Sequence, residues 1–154
     1  MSDHPAPAHD SREARAAQLV QTLSKALHAD PIVVVLTKAG QGALTTIRNL
    51  LDDAGHSRVS IQDGKLDDAE GMLAVIAQAN RFAHMGTSPR THVIVEKWND
   101  QADMEPERTV AALVAQPRDL FHEKVGLVVV TRSRKVASSL AAKAGTNVIE
   151  FVID

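Results

Sequence analysis

Ile32-Val33-Val34-Val35-Leu36-Thr37-Lys38-Ala39-Gly40-Gln41-Gly42-Ala43-Leu44-Thr45-Thr46 is the stretch on which the fold turns. Its first five residues are a continuous apolar run dominated by β-branched side chains, with no polar face alternating through it. That pattern suits a strand buried on both faces of a parallel sheet. Two glycines then break the run, and a helix from about Ala43 to Ala54 follows, stopped by Gly55.

Upstream, Ala16, Leu19, Val20, Leu23 and Leu27 keep helical spacing from Ser11 onward, with Asp10 or Ser11 available as the N-cap. Residues 1–10 carry two prolines and no apolar run, and read as a mobile tail. Downstream come a weaker strand at Arg58–Gln62 and a helix from about Asp67 to His84. That helix has Met72, Val75, Ile76, Ala79, Phe82 and Ala83 on one stripe. The rhythm repeats with a strand at Thr91–Glu96, a helix at Glu105–Ala115 and a strand at Val125–Thr131. A helix at Arg134–Ala144 and a last strand at Asn147–Ile153 complete it. Five strands alternating with four helices, after an extra N-terminal helix, predict an α/β fold. The expectation is a single three-layer domain over 11–154, with a five-stranded, mostly parallel sheet and helices on both faces. A 5-1-4-3-2 and a 3-2-1-4-5 strand order produce the same alternation.

The composition narrows the function classes. The chain has 154 residues, 44% of them hydrophobic and 23% charged, as in globular domains. Aromatics make up 3%, too few for a base-stacking platform. Cysteine is absent, which removes disulfides, thiolate metal sites and thiol catalysis. A net charge of −2 gives no global attraction to nucleic acid or anionic membrane. No apolar run suits a secretory signal or a membrane span, so the expected address is the cytoplasm.

In an open parallel sheet, ligands bind beyond the carboxyl ends of the strands. After the first strand, Gly40 and Gly42 can bring backbone N–H groups close to a phosphate at a helix N-terminus, with Thr45 and Thr46 where hydroxyls would meet a metal. Leu44 occupies the place of the lysine that a working phosphate loop needs, and this favours a plain strand-to-helix turn. Against a dinucleotide fingerprint, Gly40 and Gly42 fit and Asp63 lies about 20 positions on, but Thr45 replaces the third glycine. After the third strand, Glu96 stands beside Lys97 rather than a second acid. After the fourth, Arg132, Arg134 and Lys135 surround Ser133 at a helix start, where cations oppose the helix dipole. The seven histidines fall at no metal-ligand spacing, and those outside the tail sit near element ends, where a solvated ring is the ordinary reading. Ser138-Ser139 lies within a helix rather than on a nucleophile elbow. No catalytic residues, metal site or resident cofactor are expected.

The layout from Pro31 to Ile153 resembles the core of the P-loop NTPases, and most of all their AAA+ branch. The likeness rests on the first strand with Gly40-Gln41-Gly42-Ala43-Leu44-Thr45-Thr46, on Val93-Ile94-Val95-Glu96, on Val128-Val129-Val130-Thr131-Arg132, and on Val148-Ile149-Glu150-Phe151. Leu44 departs from the family lysine, Lys97 from its second acid, and Thr131 or Arg132 from its sensor asparagine. The resemblance thus implies a degenerate member without ATP hydrolysis. Residues 32–63 also look like the opening of a glutaredoxin, with Gln41-Gly42-Ala43-Leu44 in place of the redox cysteines.

The implied function is a non-catalytic protein-interaction module: an adaptor, scaffold or regulator that binds a protein partner or another copy of itself. Nucleic acid is disfavoured as a partner, and no membrane is implied. The alternative is a domain that still holds ATP, GTP or a dinucleotide through Gly40, Gly42, Thr45, Thr46 and Arg132.

Overall fold

The computed structural model describes residues 8–38, 40–61, 69–85, 90–95 and 124–153. In chain order the elements are α1 (Ala8–Ala29), β1 (Ile32–Thr37), α2 (Ala43–Asp53), β2 (Ser57–Ile61), α3 (Ala69–Met85) and β3 (Thr91–Val95). β4 (Val125–Thr131), α4 (Arg134–Ala144) and β5 (Val148–Phe151) follow. α1 opens ahead of the expected Ser11 start, just past Pro7, a residue tolerated only in the first turn of a helix. The helix expected at Glu105–Ala115 lies outside the described residues.

The five strands form one sheet in the order β2-β3-β4-β1-β5. Every pairing is parallel, with Val34 opposite Val129 on one side of β1 and Val148 on the other. Alternation of side chains along the strands divides the core in two. Val33 and Val35 face one way, with Ile94, Val128, Val130 and Phe151, beneath Leu23 and Leu27 of α1 and Ala43, Ile47 and Leu51 of α2. Val34 and Leu36 face the other way, with Val93, Val95, Leu127 and Val129, beneath Ile76, Ala79 and Ala83 of α3 and Val136, Ala137, Leu140 and Ala141 of α4. This is the expected three-layer α/β architecture, and it explains why β1 reads as unbroken apolar sequence. Both of its faces are covered.

The histidines depart from expectation. His92 on β3 is 1% exposed and His56, just before β2, is 8% exposed, so neither is a solvated ring. Their rings stack with centroids 5.2 Å apart and planes 12° apart, and His28 on α1 approaches His56 at 5.0 Å. His92 Nε2–H donates to the Leu27 carbonyl (2.9 Å), while Arg90 donates to the carbonyls of His28 (2.9 Å) and Asp30 (3.1 Å). These bonds satisfy carbonyls at the carboxyl end of α1 that have no partner within the helix. Gly126 on β4 lies opposite His92 in the parallel register. A Cβ there would stand 2.9 Å from His92 Cδ2 and 3.1 Å from an Arg90 guanidinium nitrogen. The imidazole lies across β4 only because this residue has no side chain.

Burial holds the His92 imidazole at about 4, well below its ordinary value; the Leu27 hydrogen bond opposes this, and Arg90, His56 and His28 reinforce it. His56 is lowered as well, by burial first and then by His28 and Arg90. Because the folded value lies below the unfolded one, the unfolded chain takes up the proton first as pH falls. His92 alone therefore removes roughly 3 kcal/mol of stability between about pH 6.5 and pH 4 and nothing further below. Urea unfolding across that range, compared between wild type and His92→Gln, measures the difference in slope. Gly126→Ala is expected to cost about 1–3 kcal/mol through overpacking, read as a lowered urea midpoint.

Candidate functional site

The carboxyl ends of β1 and β4 are neighbours, with Leu36 opposite Thr131. The sheet order therefore brings the glycine loop and the Thr131–Arg134 segment together, at the edge where an α/β fold binds ligands. The same order separates the loop from the end of β2, which lies beyond β3 and β4. At about 4.8 Å per strand, the end of β2 at Ile61 stands roughly 14 Å from the end of β1. β1 has β4 and β5 as its neighbours, not the β2 that the dinucleotide pattern places beside it. Asp63, Glu96 and Lys97 themselves lie outside the described residues.

β1 ends in Thr37, whose hydroxyl is buried and donates to the Phe151 carbonyl of β5 (2.8 Å). Gly40 and Gly42 then take φ values of +80° and +70°, a backbone that L side chains rarely adopt. Gly42 is the N-cap of α2 and gives it no side-chain cap, and its carbonyl accepts from Thr46 N–H (2.9 Å) in the first turn. Gln41, between the glycines, reaches across to β5: its side-chain carbonyl accepts the Ile153 N–H at 2.7 Å. That bond draws Ile153 toward the loop, and β5 ends at Phe151, short of the expected Ile153. Leu44 is half-buried and packs against the apolar layer under α1 and α2. Thr45 is exposed and Thr46 half-buried.

On the neighbouring strand, Thr131 is 1% exposed and its hydroxyl accepts from Ser133 N–H (3.1 Å). The Ser133 hydroxyl accepts in turn from Val136 N–H (3.2 Å), as an N-cap does. Both hydroxyls are thus committed to starting α4. Arg134 donates to the Glu150 carboxylate of β5, an exposed pair that holds Arg134 up and Glu150 down from their ordinary values, through the hydrogen bond first and the charge second. The cation that opposed the α4 dipole has its own counter-charge, one strand away. Arg132 and Lys135 are exposed.

The structure therefore brings Gly40, Gly42, Thr45, Thr46 and Arg132 to one edge of the sheet. The Gln41 tether to β5 and the Arg134–Glu150 pair were not legible from the sequence, because both depend on β5 lying next to β1. The His28–His56–His92 cluster sits at the opposite, amino-terminal edge. Among the described residues, no three of His, Asp and Glu are arranged to hold a metal ion, and no helix is long and apolar enough to cross a membrane.

No protein-family model and no curated protein matches the chain. Solved structures do. The chain is similar to Rif2 of Saccharomyces cerevisiae, with a TM-score of 0.60 and 14% identity, over 89% of this chain and 54% of that one. It is also similar to Cdc6p of Pyrobaculum aerophilum, with a TM-score of 0.54 and 18% identity, over 97% of this chain and 48% of that one. The chain spans about half the length of these structures. At such identities the likeness is one of fold alone, the parallel five-stranded α/β architecture described above.

Proposed function

We propose that this chain is a non-catalytic protein-interaction module, an adaptor, scaffold or regulator, built on an AAA+-like core whose nucleotide site is degenerate. One observation carries the reading: four polar side chains at the carboxyl ends of β1 and β4, those of Thr37, Gln41, Thr131 and Ser133, are committed to the protein itself. Thr37 and Gln41 bond the backbone of the segment Phe151–Ile153, Thr131 and Ser133 start α4, and Leu44 packs on the core in the place of a phosphate-binding lysine. Little is left there to grip a triphosphate or to activate water. The partner in this reading is another protein or a second copy of the chain, and no cofactor is required.

A second reading, retained nucleotide binding, draws on the exposed Gly40 and Gly42, the absence of an acidic residue from the first turn of α2, and the exposed Arg132 on the adjacent strand end. Thermal unfolding with ATP, GTP, NAD and NADP, each with and without magnesium, separates the two. A ligand present at 100 times its Kd adds about 2.7 kcal/mol of stability. No shift is expected with any of them. A clear shift that disappears in Gly42→Val would overturn the preferred reading.

For the interaction itself, α1 is the element to alter, but deleting it is the wrong experiment. Leu23 and Leu27 are fully buried, so removing residues 1–28 would open the core. Substitutions on its exposed face leave the core alone. Sedimentation of the wild type is expected to show mass rising with concentration above the 16.5 kDa monomer, and Gln18→Glu with Lys25→Glu, two exposed positions on one helical stripe, to reduce that rise. An equal rise in the variant would take this face of α1 out of the interface.

A further inference from the structure

The histidine cluster belongs neither to the carboxyl-edge site nor to the proposed interface. Its place in the fold is the joint between α1 and the sheet. Three rings from three separate segments meet there: His28 from α1, His56 from the turn before β2, and His92 from β3. The Nδ1 atoms of His56 and His92 are buried and have no hydrogen-bond partner among the described residues. A shared metal ion does not account for them. Ring lone pairs lie in the ring planes, and two planes 12° apart at 5.2 Å do not converge on one ion; His92 Nε2 is also already bonded to Leu27.

We propose that the three histidines form a proton-operated latch, in which acid loosens the carboxyl-terminal half of α1 from the sheet while the five-stranded core stays folded. The charges around the cluster set the direction. α1 contributes His28, the turn after it Asp30, the segment before β3 Arg90, and the start of β4 the exposed Lys124. From α2, packed against α1, the charged groups are Arg48, Asp52 and Asp53, and Asp52 is engaged by Arg58 of β2 at 3.2 Å. Asp30 acts on Arg90. A proton on His56 or His92 therefore adds a cation beside Arg90 in a space closed to water.

Relief comes from letting water in, and α1 is the wall best placed to move. β3 and β4 are locked by ladder bonds along their length, and Gly126 fixes the ring against β4. The end of α1 is held to β3 by the three hydrogen bonds from His92 and Arg90 and by the packing of Leu23 and Leu27. With His92 titrating at about 4 when covered and near 6.5 when hydrated, opening at pH 5 is favoured roughly thirtyfold over opening at pH 7.5 by this residue alone.

Amide hydrogen exchange on the full chain at pH 7.5 and pH 5.0, corrected for the intrinsic pH dependence of exchange, tests the latch. The expected result in the wild type is a loss of protection of roughly thirtyfold across residues 19–29, through an opening that low urea barely promotes, while β1 and β4 keep the higher protection and steep urea dependence of global unfolding. Retained protection in α1, or α1 amides that exchange at pH 5.0 with the same protection and urea dependence as β1 and β4, would overturn the proposal whatever the variants do. The double variant His56→Gln/His92→Gln is expected to show no acid-dependent loss in α1. Should it fail to fold, His28→Gln changes an exposed ring instead. It removes one positive neighbour and is expected to lessen the loss; an undiminished loss would also count against the latch.

Discussion

Everything in this protein is organised around β1, which has no face or edge left for water. β4 and β5 take its backbone hydrogen bonds on either side, and the two apolar layers meet across it. A strand in that position can carry nothing but apolar side chains, and Ile32–Leu36 carries nothing else. The helices follow from it. α1 and α2 cover the face with Val33 and Val35, and α3 and α4 cover the face with Val34 and Leu36. The loop that leaves β1 emerges at the centre of the carboxyl edge, where the adjoining strands on both sides can reach it.

That central position explains how the candidate site is closed off. β5 reaches the loop through the Thr37 and Gln41 bonds, and β4 lies beside it with hydroxyls committed to the first turn of α4. In a parallel α/β fold the same edge is the natural seat of a ligand. Here hydrogen bonds within the chain engage Thr37, Gln41, Thr131 and Ser133, so these polar side chains serve stability. The amino-terminal edge has the opposite character: it holds buried imidazoles whose neutral state depends on α1 staying in place.

The fold was legible because burial leaves a strong signature. Continuous β-branched runs at β1 and β4, helical stripes between them and glycine stops can be read without knowing which strand lies beside which. The candidate loop was legible for the same reason, since Gly40 and Gly42 interrupt the strongest strand. What could not be read is whatever depends on strand order. The end of β2 lies near Gly40 in sequence, yet two strands stand between β2 and β1 in the sheet. Gln41 and Glu150 look like ordinary surface residues until β5 is placed next to β1. His56 and His92 sit near element ends, where solvation is the common outcome, and only the pairing of His92 with Gly126 reveals a space that an imidazole can fill.

The bond between Thr37 and Phe151 spans 114 positions of sequence, nearly the whole chain. Contacts of such span close late, because the intervening chain must be ordered before they repay its lost freedom. On the ribosome the asymmetry is sharper still: β1 emerges well before β5 and the residues that brace the glycine loop. The loop therefore takes its final form only once synthesis has passed Ile153. A chain halted before Val148 would present β1 with a bare edge and the loop unbraced, a conformation that the finished protein does not show.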